Sequence, residues 1–348
     1  MRPTLKQIAE RTNLSIPTVS EILNHKTRAY NSDTRTRVLE AARLMGYRPN
    51  ESARSIKSGR FGAIALFQSS DERRNSLPGS LLYSIEEILS KNNLLLTLAS
   101  VTDDQVTNEA FIPQILRILA VDGLVINYIA GFPERLVSLV HDHHIPYMWL
   151  NTKLRDDCVY PDDISAARMA TEHLVGLGHR KIAFVDYTFG HHNASPVHYS
   201  RYDRAQGYTE IMEKAGLTPR DIREEKNIPM EERKAFSIRW LTGPTRPSAA
   251  ITYNWETALP LVAAALSLGL KIPEDLSVIT FHDHVANELG SPIDTMVLPQ
   301  YEMGQLAVSR ILEKIERPLM SFPAQTISLD FQKGWTTGPA PAVIRSVG

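Results

Sequence analysis

The chain has a single cysteine, Cys158, so no disulfide forms within it. No apolar run approaches the ~18 residues that would suggest a membrane-crossing helix. The opening residues Met-Arg-Pro-Thr-Leu-Lys-Gln lack the apolar stretch of a secretory leader, so the expected setting is the cytoplasm. Also missing are Gly-x-Ser-x-Gly, a glycine-lysine phosphate loop and a paired-carboxylate signature. With none of these, the expectation is no enzyme, no catalytic residue and no cofactor. His141-Asp142-His143-His144 and His191-His192 lack a fixed tetrahedral ligand spacing and read as solvated side chains, so no metal is expected.

A net charge of -1 conceals an uneven distribution. Residues 1–60 carry 12 Lys/Arg against 5 Asp/Glu, which leaves 26 against 34 for the other 288. A basic module on an acidic body suits phosphate binding by one part and repulsion of DNA by the other. At 348 residues and 43% hydrophobic, the chain has room for a small module and a substantial core.

The basic module has a clear pattern. Leu5, Ile8 and Ala9 fall on one helical face, and Val19, Ile22 and Leu23 on a second. Asn13-Leu14-Ser15 supplies the turn between them. Ser15 is a good N-cap for a helix beginning at Ile16, with Pro17 in the first turn, where its missing N–H costs nothing. A third helix is expected with Asn31 as N-cap, Asp33 in its first turn, Val38, Leu39, Ala42 and Met45 inward, and Gly46 as its stop. Two short amphipathic helices across a tight polar turn, backed by a third, read as a DNA-binding helix-turn-helix. The segment after Pro49 holds little apolar surface and reads as a linker with at most two helical turns. Helices that short are marginal alone, so its order would come from DNA, a partner chain or both.

Beyond Phe61, continuous apolar strands alternate with helices: strands at 63–67, 94–99, 123–127, 146–150, 181–185, 249–252 and 276–281, helices at 81–92, 109–120, 133–143, 163–177, 201–215, 231–241 and 256–268. Such cycles build parallel sheets covered on both faces. Their number suggests two sheets side by side, with a ligand cleft outside the carboxyl ends of the strands. Leu177-Gly178-His179-Arg180 has a catalytic look, but glycine C-capping at a helix-to-strand junction explains it.

Ten stretches in order resemble the lactose-repressor (LacI/GalR) family of bacterial transcription regulators: Thr4-Leu-Lys-x-Ile-Ala, Ser15-x-x-Thr-Val-Ser, Asn24, Thr34-Arg-x-x-Val-Leu-x-Ala-Ala, Gly46-Tyr-Arg-Pro-Asn, Ala53-Arg-Ser, Val121-Asp-Gly, His173-Leu-x-x-Leu-Gly-His-Arg-x-Ile-Ala, Arg204-x-x-Gly-Tyr and Ile272-Pro-Glu-Asp-Leu-Ser-Val. The resemblance implies an N-terminal all-α helix-turn-helix headpiece over 1–49, a hinge helix or linker over 50–60, and an α/β effector-binding and dimerisation core over 62–348. The core would be two doubly wound parallel-sheet subdomains of the type I periplasmic-binding-protein kind. One would span about 62–162 and 299–325, the other about 163–298 and 326–348, with the chain crossing between them three times. The implied protein is a cytoplasmic, nucleoid-associated homodimeric repressor. It would bind a palindromic double-stranded DNA operator under control of a small, carbohydrate-related effector, with no membrane partner. The alternative is a solute- or sugar-binding protein, or an enzyme core, with an incidental helical N-terminus. Ile344-Arg-Ser-Val-Gly348 is too short for an added tetramerisation helix, which favours a dimer.

The resemblance also assigns residues. Ile16, Pro17 and Glu21 fall where the family reads base edges. Glu21 replaces a common arginine, and a carboxylate accepts from cytosine N4 where arginine would donate to guanine. Thr4, Thr18, Asn24, Tyr47 and Asn50 are expected at phosphates, with Ser15, Ser20, Arg54 and Lys57 beside them, and Ile56 as the apolar wedge in the minor groove. For the effector the matching positions are Ser69, Leu77, Asn151, Arg204, Asn254, Trp255 and His282. Leu77-Pro78 stands in place of a sugar-stacking aromatic pair and His282 in place of a carboxylate. With Arg204, Trp255 and His191 or His192, that set favours an acidic or modified sugar.

Overall fold

The computed structural model describes residues 3–24, 30–47, 59–71, 76–102, 104–105, 121–129, 131, 134–142, 144–189, 197–224, 227–285, 287 and 290–344. The chain divides into two compact units, Met1–Phe61 and Gly62–Gly348.

The first unit is built on three helices, α1 (Leu5–Thr12), α2 (Ile16–Leu23) and α3 (Ser32–Leu44). Thr4 opens α1 with a reciprocal cap, its hydroxyl accepting from the Gln7 backbone at 3.3 Å while its own N–H donates to Gln7 Oε1 at 2.8 Å. Asn13 ends the helix in the left-handed conformation at φ 51°. Ser15 caps α2 by accepting from Thr18 N at 3.2 Å, and Pro17 sits in the first turn. Ile8, Ala9, Val19, Ile22, Val38, Ala41 and Ala42 form the core of this unit. Leu39 departs from the expected inward set and is 39% exposed. The inward stripe of α3 runs through positions 38, 41, 42 and 45, and Leu39 is rotated about 100° from Val38.

The second unit holds two six-stranded sheets. The first has the order β2 (Leu95–Val101), β1 (Ala63–Ser69), β3 (Gly123–Asn127), β4 (Tyr147–Leu150), β5 (Cys158–Pro161), β11 (Gln325–Ile327). In the second the order is β7 (Asp221–Arg223), β6 (Ile182–Asp186), β8 (Ala249–Thr252), β9 (Ser277–His282), β10 (Asp294–Val297), β12 (Asp330–Gln332). Every pairing is parallel except the antiparallel β10–β12.

Strand residues alternate between two apolar faces. Ile64, Leu66, Val125 and Met148 pack against α4 (Gly79–Lys91) and α10 (Gln300–Glu316), whereas Ala65, Phe67, Leu124 and Trp149 pack with Leu136 and Val140 of α5 (Glu134–Asp142). In the second sheet, Phe184, Ile251 and Phe281 meet α6 (Asp163–Gly176) and α7 (Tyr199–Lys214). Ala183, Ala250 and Val278 meet α8 (Met230–Leu241) and α9 (Trp255–Ser267). The chain passes between the sheets after β5, after β10 and between β11 and β12.

Strands β5, β7, β10, β11 and β12 and helix α10 extend the expected cycles. Each of those strands has only three or four residues, too short to show a period of its own. The expected helix over 109–120 lies outside the described residues.

Headpiece and ligand cleft

Ile16 and Pro17 occupy the exposed first turn of α2, with Ile16 45% exposed. Four residues after Pro17 on the same face is Glu21, half-buried, whose carboxylate accepts a hydrogen bond from the Tyr30 hydroxyl. Several of the expected phosphate contacts already serve the backbone. The Thr4 and Ser15 hydroxyls cap helices, Thr18 Oγ1 lies 2.8 Å from Ser15 Oγ, and Asn24 Nδ2 donates to Ser20 O at 2.7 Å and Ser20 Oγ at 3.3 Å. Tyr47 packs on the headpiece core, and burial raises its hydroxyl above the ordinary tyrosine value. Asn50, Arg54, Ile56 and Lys57 lie outside the described residues, as do His143, His191 and His192.

In the second unit the carboxyl ends of β1, β3, β4, β6, β8 and β9 carry Ser69, Asn127, Asn151, Asp186, Asn254 and His282 at or one to two residues beyond their last position. Ser69 is buried, and its hydroxyl accepts from Asp71 N at 3.1 Å. Leu77 packs into the apolar layer beneath α4. Asn254 is the N-cap of α9, its Oδ1 receiving Thr257 N at 3.1 Å and Thr257 Oγ1 at 2.9 Å. Trp255 stacks on His282 with ring centroids 6.0 Å apart, and His282 is followed at 4.2 Å by His284.

Arg204 is only 4% exposed. Its Nε donates to Asp163 Oδ1 at 2.6 Å and one terminal nitrogen to Tyr253 O at 2.6 Å, with the guanidinium 4.1 Å from the Phe281 ring centre. Burial pushes the Asp163 carboxyl above the ordinary aspartate value, against the pull of the Arg204 guanidinium. Neighbouring Arg201 pairs with Asp186 and lies 4.2 Å from the Tyr253 ring centre. Both arginines are thus matched by a carboxylate of the chain itself. An acidic sugar would therefore meet guanidinium groups whose charge is already balanced.

Asn151 sits in the left-handed region at φ 52° and touches the opposite half of the unit. Its Oδ1 accepts from Tyr199 OH at 3.1 Å and its carbonyl lies 2.9 Å from His198 Nε2. Lys153 reaches Asp203 at 2.8 Å alongside.

Two residues absent from the expected set stand out. Asn127 is fully buried and its Nδ2 donates to Ser76 O at 2.8 Å, yet its Oδ1 has no partner among the described residues. Gln68 lies in register with it on the next strand and also has an unpartnered Oε1. Buried acceptors are rarely left unmade, so at the carboxyl end of a parallel sheet they call for a ligand's donors. The available signal was a polar residue closing the apolar run Gly123-Leu-Val-Ile-Asn127.

Among the described residues, no group of His, Cys, Asp or Glu could hold a metal ion, and no helix is long and apolar enough to cross a membrane. Residues 4–50 match the family described as bacterial regulatory proteins, lacI family, and residues 171–328 match the periplasmic binding protein-like domain. The HTH-type transcriptional repressor PurR of Haemophilus influenzae (strain PittEE) is 28% identical over 319 residues, covering 90% of this chain and 91% of the relative. NtdR of Bacillus subtilis (strain 168), the NTD biosynthesis operon regulator, is 28% identical over 321 residues, covering 90% and 93%. The fold is shared with the Lac repressor dimer bound to operator and the anti-inducer ONPF, at a TM-score of 0.78 and 22% identity over 97% of this chain and 100% of that one.

A helix-turn-helix headpiece ahead of a periplasmic-binding-protein-like core defines a bacterial DNA-binding regulatory protein. Residues 4–50 carry the DNA-binding domain of the lacI family of bacterial regulatory proteins.

Proposed function

We propose that this protein is a cytoplasmic, effector-responsive repressor that grips a palindromic operator as a homodimer and catalyses no reaction. The observation that carries the reading is the first turn of α2, where Ile16 and Pro17 stand exposed above a fully packed three-helix core. An apolar, solvent-facing helix start suits a thymine methyl in the major groove. For the dimer, the support is β2, an edge strand whose Leu95 and Leu98 are 72% and 57% exposed, together with the exposed Leu259 and Leu266 on α9.

The effector is a donor-rich, carbohydrate-related molecule held at the carboxyl ends of the strands. Asn127 and Gln68 receive its hydroxyls, and the Trp255–His282 stack flanks it. The headpiece spans 1–49, the hinge 50–60 and the core 62–348, and the parting of the two compact units after Phe61 supports the start of the core.

Selection of bound sequences from random duplex DNA by the full-length protein tests this directly. An enriched inverted repeat is the expected result. Binding that has no sequence preference and only fades as salt rises, with or without a panel of sugars and sugar acids, rules out the specific-reader reading.

A further inference from the structure

Helix α7 is held from two sides. Towards the second sheet, Arg201 pairs with Asp186 of β6, while Arg204 pairs with Asp163 of α6 and donates to the Tyr253 carbonyl, all of these residues being buried. On its other side, the first turn of α7 meets the segment that leaves β4 of the first sheet. Asn151 Oδ1 accepts from the Tyr199 hydroxyl at 3.1 Å, and Lys153 Nζ lies 2.8 Å from one Asp203 oxygen and 3.1 Å from the other. The Tyr160 ring of β5 meets Tyr199 edge-on, with centroids 5.5 Å apart. Burial pushes the Tyr199 hydroxyl well above the ordinary tyrosine value, so it stays a donor.

We propose that the Lys153–Asp203 ion pair, with the Asn151–Tyr199 bond beside it, is a strap between the two halves of the core that holds them in the arrangement that binds operator. This inference rests on the reading of the chain as an effector-responsive operator binder.

The two attachments of α7 are unequal. Breaking either pair towards the second sheet strands a charge in the interior. The Lys153 and Asp203 side chains are 41% and 12% exposed, so water takes over these groups at a smaller cost. When the halves turn against each other, α7 therefore travels with the second sheet and the strap parts. A switch requires such a contact, firm enough to bias one arrangement and weak enough to break. Because the chain supplies every partner, the strap acts in the protein by itself, the form used in operator selection. Asn151 links it to the ligand end of the sheet, since it follows the last residue of β4. A ligand donor arriving there meets the same oxygen that Tyr199 uses, so occupancy of the cleft and closure of the strap are coupled.

The test uses the full-length protein and the operator recovered by selection, with no sugar added. Dissociation constants are measured per active molecule, after stoichiometric titration, for Lys153→Met, Asp203→Asn, both together, and the exchanged pair Lys153→Asp with Asp203→Lys. Lys214→Met is the control. It makes the same change in net charge, but its partner Glu172 lies in the same half and the pair is exposed. Each single variant should weaken operator binding about fivefold as the strapped share of molecules falls. The double variant should be no weaker than either single one, and the exchanged pair should return to within about twofold of wild type. Lys214→Met should bind as wild type does.

If the Lys153 and Asp203 variants bind operator like wild type and lower only the thermal midpoint, the pair is structural and the proposal is overturned. Tighter binding by the single variants overturns it as well, since the strap would then oppose the operator-binding arrangement. So does equal weakening by Lys214→Met, or an exchanged pair that recovers nothing. In each case the palindrome bound by the wild type still upholds the regulator, whereas failure of the wild type to select one removes that reading itself.

Discussion

Arg204, a position expected at the effector, shows how much fold stability can rest on one buried charge. Its guanidinium and the Asp163 carboxylate are both buried, and each is the other's charged partner. Removing one leaves an unpaired buried charge, which typically costs about 3–5 kcal/mol, whereas replacing both with apolar groups can be close to neutral. Arg204→Met alone should therefore lower the unfolding free energy by roughly that amount. Arg204→Met with Asp163→Leu should recover most of it, as measured by urea denaturation. If the single and double variants are equally destabilised, the pair is not the source of the effect. Loss of effector response in Arg204→Met is thus uninformative by itself, and Asn127, with no partner among the described residues to orphan at its Oδ1, is the cleaner position to alter.

At the scale of elements, the second half of the core depends on how closely α6 and α7 approach. A methyl group built at Gly207 of α7 would lie 2.3 Å from the carbonyl oxygen of Ile164 and 3.0 Å from the Cβ of Ala167, both in α6. The side chain of the glycine is thus excluded by backbone, which cannot rotate away. The neighbouring α6 residues Ala166, Ala167 and Ala170 are small and fully buried, as such a close crossing demands. Gly207→Ala should destabilise the core by about 1–3 kcal/mol, because overpacking forces the helices apart. Calorimetry on the purified variant measures this, and an unchanged or raised midpoint would refute the crossing as described. Gly178 differs, since its φ of +91° closes α6 ahead of β6, as the glycine stop in the sequence indicates.

At the scale of the whole molecule, His179 ties distant strands to the C-terminal stretch. Fully buried, it places Nδ1 2.8 Å from Ser248 Oγ and Nε2 3.1 Å from both Ser277 Oγ and the Gly338 carbonyl. Burial lowers its pKa below the ordinary 6.5, with the Gly338 bond opposing, and burial lowers that of His173 as well. In the folded chain these rings stay neutral at a pH where the unfolded chain already binds protons. Stability is then fully present above about pH 6.5 and falls as pH drops through the lowered folded values, by up to ~1.4 kcal/mol per pH unit for each proton. The thermal midpoint should be higher at pH 7.5 than at pH 5.5, and His179→Gln should flatten that difference at the expense of stability at both. An equal midpoint at both pH values would contradict the burial of these rings.

Much of the fold is legible because it rests on local rules. The Ser15 and Asn31 caps, the apolar stripes of α1 and α2, and the unbroken runs of β1, β3 and β8 each show their character within a few residues, where hydrogen-bonding groups and helical or strand periods act on near neighbours. The class of protein was legible for the same reason, since the helix-turn-helix is a local pattern. What only the tertiary structure decided depends on partners far apart in the chain. Arg204 meets Asp163 across 41 residues and His179 meets Gly338 across 159. The short strand β11 owes its existence to the edge of β5, 166 residues earlier, and β12 to the edge of β10, 33 to 37 residues earlier. Asn127 looks like any strand-ending asparagine until the fold buries its Oδ1 without a donor among the described residues, and Glu21 like any surface glutamate until Tyr30 is brought to it. Sequence expresses the intrinsic preference of each residue, whereas the pairing of charges and the satisfaction of buried polar atoms arise only once the chain has closed on itself.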